Sequence, residues 1–279
     1  MIARSIPFAK MSGLGNDFIL VDDREGVLGG LNKSFLASKL CTPRLSIGAD
    51  ELMIIEQPRS GGHLFMRTFN PDGQEVKMCG NASRCVARYA AKKGIAPPAM
   101  VIETLGGPVK ASVEGDLIRV ELSVTAGPES LELQASGRDF HARWLEITGA
   151  PHAVVQFPEV AQTQDSVIQE LGAAIRWHPC FPQGTNVNFV EIKDSHTLAQ
   201  RTFERGVEGE TLACGTGAIA SVLALADLGL LKSPVSVSTR GGILSVSFEQ
   251  VDGNFHRIYL GGEARFIAEG TIDPEAWDF

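Results

Sequence analysis

The chain has 279 residues, with 25 Lys and Arg against 33 Asp and Glu, a formal charge of −8. That length suggests about two domains, and 44% hydrophobic with 21% charged residues excludes a disordered chain. The acidic balance argues against nucleic acid or an anionic membrane as the main partner, because both reward net positive charge.

The longest uncharged run, residues 211–226, falls short of the roughly 18–20 apolar residues of a membrane span and carries Thr, Ser and Gly. The N-terminus lacks a basic start followed by an apolar signal core. Five cysteines, Cys41, Cys79, Cys85, Cys180 and Cys214, are too sparse and odd in number for a disulfide framework. No Cys/His spacing reads as a zinc site. A cytoplasmic protein with no metal and no membrane partner is expected.

In chain order, β-branched or aromatic runs bounded by turn residues predict strands at 18–21, 52–55, 64–69, 117–122, 153–157, 187–192 and 243–248. Helices are predicted at 34–40, 81–93, 165–174 and 217–228. In the last, Ile219, Val222, Leu223 and Ala226 repeat at helical spacing while Ala220, Leu225 and Leu228 cover the other side. A helix apolar all round is a buried one.

The chain also repeats itself. Arg67-Thr68-Phe69 recurs as Arg201-Thr202-Phe203, and Cys79-Gly80 recurs as Cys214-Gly215. Glu75 and Glu210 each lie four residues before the cysteine, and Gly94 and Gly229 fifteen after it. A glycine just past the last helical residue is a C-terminal stop. A weaker echo aligns Gly13-Leu14-Gly15-Asn16 with Gly149-Ala150-Pro151-His152. Two halves derived from one unit is the economical reading. The predicted fold is α/β, with two pseudo-symmetric mixed domains whose strands wrap a central helix. The first half ends near Leu122, ahead of Gly127-Pro128.

Each half therefore places a Cys-Gly at the start of a helix, where unpaired N–H groups favour a thiolate or a bound anion. Glycine there lets a ligand approach the backbone. Two such thiols facing one carbon suit proton removal from one side and redelivery to the other, with a carboxylate held by the helix N-termini. The alternative from another class is a redox pair that forms a disulfide. Cys41, Cys85 and Cys180 read as buried structural thiols.

At this point the residues resemble the diaminopimelate epimerase family over essentially the whole chain. Lys10-Met11-Ser12-Gly13-Leu14-Gly15-Asn16-Asp17-Phe18 resembles its opening signature. Phe69-Asn70-Pro71-Asp72-Gly73 through Met78-Cys79-Gly80-Asn81 to Arg84-Cys85 resembles its first cysteine motif. Gly184-Thr185-Asn186-Val187-Asn188-Phe189-Val190 resembles its asparagine strand. Glu204-Arg205-Gly206 followed by Glu210-Thr211-Leu212-Ala213-Cys214-Gly215-Thr216-Gly217 resembles its second cysteine motif.

The resemblance implies epimerisation of LL-diaminopimelate to the meso form, in lysine and peptidoglycan precursor synthesis, without pyridoxal phosphate or any other cofactor. It implies an N-terminal domain of residues 1–122 plus 264–279 carrying Cys79 and a C-terminal domain of residues 123–263 carrying Cys214. The substrate is a small amino acid, and a homodimer is implied. Cys79 and Cys214 become the acid/base pair, with His152 and Glu204 at the reacting centre. Gly80, Asn81, Gly215 and Thr216 would cradle the reacting carboxylate. Asn16, Glu51, Asn70, Asn188, Glu204 and Arg205 would hold the rest of the substrate.

The residue chemistry agrees: adjacent Glu204 and Arg205 offer one charge of each sign to a second amino acid head. On a strand, Asn186 and Asn188 share one face and are expected to point into the site together. Three positions depart from the family pattern. Ala150 replaces a common asparagine, Glu51 a glycine or glutamine, and Ser12 a histidine. The first two are expected to make the pocket for the far end of the substrate more anionic. A racemase of another amino acid, histidine or glutamate, and a thiol redox or ligand-binding protein on the same fold are the alternatives.

Overall fold

The computed structural model describes residues 5–279, and the chain divides into two units. One comprises Met1–Val120 with Gly262–Phe279, the other Glu121–Gly261.

In the first unit, β1 (Ile6–Gly13) and β2 (Asn16–Asp22) form a hairpin, followed by α1 (Lys33–Leu40), β3 (Glu51–Glu56), β4 (Leu64–Phe69) and the short β5 (Glu75–Val76). Then come α2 (Gly80–Lys92), β6 (Ala99–Thr104), β7 (Gly107–Glu114) and β8 (Leu117–Leu122). The second unit holds β9 (Val124–Ala135), β10 (Arg138–Ile147), β11 (Ala150–Gln156), α3 (Asp165–Arg176), β12 (Asn186–Asp194) and β13 (Thr197–Glu204). It continues with β14 (Gly209–Thr211), α4 (Gly215–Asp227), β15 (Val235–Thr239), β16 (Gly242–Val251) and β17 (Asn254–Gly262). The chain ends with β18 (Arg265–Ile272) and a 3-10 turn (Pro274–Ala276), both in the first unit.

The two units share one strand plan. In the first, β18 pairs antiparallel with β1, β1 with β2, β2 parallel with β3, β3 antiparallel with β4, and β4 parallel with β6, which leads to β7 and β8. In the second, β9, β10, β11, β12, β13, β15, β16 and β17 follow with the same senses. The chain's last strand therefore fills in the first unit the place that β9 fills in the second. The fold is two-domain, mixed α/β, as predicted.

Side chains of alternate strand residues make two layers. In the first unit Ile19, Val21, Leu52, Ile54 and Phe69 form a core with Leu36 and Leu40 of α1. In the second Ala153, Val155, Val187, Phe189 and Phe203 do the same with Ile168, Leu171 and Ile175 of α3. On the other face lie the central helices, α2 against strands of the first unit and α4 against β10, β11, β12, β13 and β16. As its composition predicts, α4 is buried from Gly217 to Ala226. Gly94 and Gly229 end α2 and α4 with φ of 67° and 73°, and the next residue's N–H bonds back to Ala90 and Leu225.

Paired registers correct the weaker sequence echo. With Phe69 matched to Phe203, Leu52 matches Val187, Ile19 matches Ala153, and Asn16 therefore matches Ala150 rather than His152. His152 corresponds to Phe18. The Gly127-Pro128 stretch, which follows the predicted end of the first half at Leu122, lies inside β9, where both residues face Leu145 between the pairs Glu129–Trp144 and Ala126–Glu146. Such a bulge tolerates proline because it demands no ladder hydrogen bond there. Of the strands that escaped prediction, β18 is mostly exposed and carries little apolar alternation.

Candidate active site

In the repeated Arg–Thr–Phe strands, Arg67 bonds Glu75 through Nε and Nη2 at 2.6 and 2.7 Å, and Arg201 makes the same two-pronged pair with Glu210. Each pair clamps the hairpin that leads to the cysteine. Cys79 and Cys214 follow as N-caps of α2 and α4, in extended conformation. Their carbonyls accept the first helical bonds, from Ser83 and Ala218, each at 2.9 Å. Gly80 and Gly215 are the first helical residues, so the helices start earlier than the predicted 81 and 217.

Around Cys79, the Glu51 carboxylate accepts from the thiol, and the N–H groups of Asn81 and Ala82 point at the sulfur. Burial and the Glu51 charge push the thiol well up, while the two N–H groups draw it back. Glu51 therefore lies beside Cys79. From the helix, Asn81 Nδ2 donates to Asn16 Oδ1 at 2.6 Å, and Asn16 Nδ2 donates to Asp50 Oδ2 at 3.0 Å. Asn70 sits in the β4–β5 turn, where its carbonyl accepts from Gly73 at 2.9 Å.

Around Cys214 the arrangement is matched but not copied. Glu204 bonds the thiol from the end of β13, the position that Asn70 holds in the first unit, and Thr211 Oγ1 holds Glu204 at 2.5 Å. Cys214 Sγ stands 3.6 Å from Thr216 Oγ1. Burial and then Glu204 push this thiol up, against the Thr216 hydroxyl and the Gly217 N–H. So each unit gives its cysteine a carboxylate partner, from β3 in one and from β13 in the other.

Asn188 is fully buried and oriented from both ends. Thr202 Oγ1 donates to its Oδ1 at 3.0 Å, and its Nδ2 stands 3.2 Å from His152 Nδ1. Nδ1 is thus the acceptor and Nε2 carries the proton. His152 is wholly buried, and burial, then the Arg205 charge, hold its pKa down at about 3. It is a neutral imidazole at ordinary pH, and its buried Nε2 finds no hydrogen-bond partner among the described residues.

Asn186 departs from expectation: its Nδ2 donates to the Pro151 carbonyl at 2.9 Å and its Oδ1 accepts the Arg205 N–H at 2.8 Å. Both ends of this amide serve the backbone. Arg205 reaches the Gln183 carbonyl at 3.4 Å and, with Glu129, Trp144, Pro151 and Gly184, lines a cleft of about 390 Å³ in the second unit. Sequence reasoning passed over Arg84, Thr202 and Asp50. Arg84 carried a signal, a charged residue on an otherwise small and apolar stretch, Ala82 to Ala87. Thr202 lay in the repeated Arg-Thr-Phe segment, which does not say what its hydroxyl meets, and Asp50 carried no signal; only strand pairing and a turn bring them to the amides.

The family model for diaminopimelate epimerase matches residues 8–130 and 145–267. A diaminopimelate epimerase of Aquifex aeolicus is 38% identical over 98% of this chain and 99% of its own. One from a Hydrogenobaculum species is 37% identical over 95% and 98%. Among solved structures, a hydroxyproline epimerase from Agrobacterium vitis is similar with a TM-score of 0.68 and 17% identity, covering 98% of this chain and 94% of that one. Methylitaconate-delta-isomerase gives a TM-score of 0.69 and 16% identity over 99% and 98%. These structural likenesses speak for the fold.

Proposed function

The chain belongs to the diaminopimelate epimerase family, and on that footing we propose that it interconverts LL- and meso-diaminopimelate by exchange of the α-proton between two thiols. It is an isomerase acting on a small amino acid. The first unit and the second are proposed as the two epimerase domains, each supplying one cysteine. As a thiolate, Cys79 or Cys214 takes the α-proton, and the other, as a thiol, returns one to the opposite face, so charge balances at every step. Glu51 and Glu204 are the groups that accept the thiol protons, and neutral His152 orients Asn188 beside the second cysteine. The reacting carboxylate is held by Gly80, Asn81, Gly215 and Thr216, and the far end by Asn70, Asn188 and Arg205. Asn16 completes the first cradle.

The observation that carries this reading is the N-cap cysteine with a hydrogen-bonded carboxylate, present in both units. The reading needs no cofactor, and a cytoplasmic homodimer in lysine and peptidoglycan precursor synthesis accompanies it. Among the described residues no helix is long and apolar enough to cross a membrane.

The test is incubation of the reduced protein with LL-diaminopimelate in heavy water, following isomer ratio and α-carbon deuterium. The expected outcome is a mixture with the meso form, labelled from solvent, and loss of turnover in Cys79→Ala and in Cys214→Ala. An active single cysteine variant would overturn the two-thiol mechanism. Exchange into histidine or glutamate alone would move the substrate.

A further inference from the structure

Arg84 is the largest of the fully buried side chains, at 0% exposure, five residues along α2 from Cys79. Its Nη2 donates to Asn81 Oδ1 at 2.9 Å. Its Nε and Nη1 are buried without a hydrogen-bond partner among the described residues. A guanidinium left so poorly satisfied is expensive, and packing alone would be better served by an aliphatic chain of the same length. What an arginine offers that such a chain lacks is direction. It has donors only and stays charged.

That property propagates. A side chain that only donates obliges Asn81 to turn its oxygen inward, toward α2. The Asn81 NH2 is then committed to Asn16 Oδ1, at 2.6 Å. The Asn16 NH2 in turn is committed to Asp50 Oδ2, at 3.0 Å, an oxygen that also accepts the Asp17 N–H. A chain anchored by a pure donor at one end and a carboxylate at the other has one consistent orientation for both amides. Without the anchor, each amide can turn over and present the opposite polarity to whatever it meets.

We propose that Arg84 is a positioning residue that fixes the amide orientation of Asn81 and Asn16, and through them the substrate cradle of the first unit. The inference rests on the epimerase reading above, and the buried charge is retained for direction rather than for stability. Its Coulomb interaction with Cys79 acts in the same sense, since a cation inside the unit favours the thiolate.

The experiment compares wild type, Arg84→Met, Arg84→Lys and Asn81→Asp in the heavy-water assay and in thermal melting. Arg84→Met is expected to melt no lower than wild type, because it removes an unsatisfied charge, yet to lose at least about tenfold in kcat/KM. Arg84→Lys, another pure donor, is expected to recover most of that loss. Side-chain amide NMR should show one Asn81 orientation in wild type and two in Arg84→Met. Should Arg84→Met fail to fold, Asn81→Asp decides: it keeps the bond from Arg84 but cannot donate to Asn16, and should lose at least about tenfold. Wild-type kcat/KM in folded Arg84→Met, equal damage in the Met and Lys variants, or full activity in Asn81→Asp would each overturn the proposal. A wild-type protein that exchanges no α-proton would instead remove the epimerase reading.

Discussion

A buried histidine shows how one residue's surroundings become a property of the protein. His152 has no exposure, and burial and Arg205 hold its pKa at about 3 against an ordinary 6.5. The unfolded chain binds a proton there as pH falls through 6.5, and the folded chain does not. Stability is therefore complete above that pH and is lost on acidification, at up to about 1.4 kcal/mol per pH unit. Urea unfolding between pH 7.5 and 5 should show this slope, and His152→Gln should abolish most of it. An unchanged slope in the variant would mean that the imidazole accepts a proton in the folded state. The two thiols sit differently from a preformed thiolate: burial and a carboxylate raise both, so each is a thiol waiting for a partner. That suits a reaction in which one cysteine must hold its proton and the other must give it up.

Among elements, α2 and α4 do the same work with different tolerances. Three residues past the cysteine, α2 has Ala82 and α4 has Gly217. A Cβ at Gly217 would stand 2.3 Å from Asn188 Oδ1 and 3.2 Å from Cys214 Sγ. The glycine is therefore dictated by the close approach of β12 rather than by backbone conformation. Gly217→Ala should push Asn188 off His152 and lower kcat/KM at least about tenfold while far-ultraviolet circular dichroism stays unchanged. Retention of full activity would show that Asn188 has room to move. Strand pairing does comparable work. Glu51 and Glu204 come from unlike strand positions, yet each meets a cysteine. The cysteine–carboxylate contact repeats in the two units, and the strand positions supplying the carboxylate do not.

For the whole molecule, the first unit is completed by the last strand to be synthesised. Seven residues of β1, Ile6 to Ser12, pair with β18, and Ile272, Ala276 and Trp277 join the core that includes Ile6 and Leu40. Deleting residues 265–279 should strip amide-exchange protection from β1 while α4, which belongs to the other unit, keeps its own. Equal loss in α4 and β1 would show that the units unfold together. Full protection of β1 would show that the unit closes without its terminal strand. This closure is also why β1 and β18, from opposite ends of the described chain, lie in the same unit.

The residue string by itself determined the duplication, the two Cys-Gly helix starts, the buried character of α4 and the glycine stops at Gly94 and Gly229. These follow from short-range rules: helical periodicity, capping and the backbone freedom of glycine all act within a few residues. The α/β class followed too, because its buried strands are apolar runs. Tertiary structure decided the rest. Which residue of one half answers which of the other was settled by strand register, where a shift of two residues leaves the apolar alternation intact, so Asn16 matched Ala150 and not His152. That Asn186 bonds two backbone groups while Asn188 meets His152 and Thr202 depended on which groups lay opposite. Glu51 met Cys79, and Arg84 met Asn81, through hydrogen bonds whose partners are set by packing in three dimensions. Directional bonds between residues far apart in sequence leave no periodic trace, and the site is made of them.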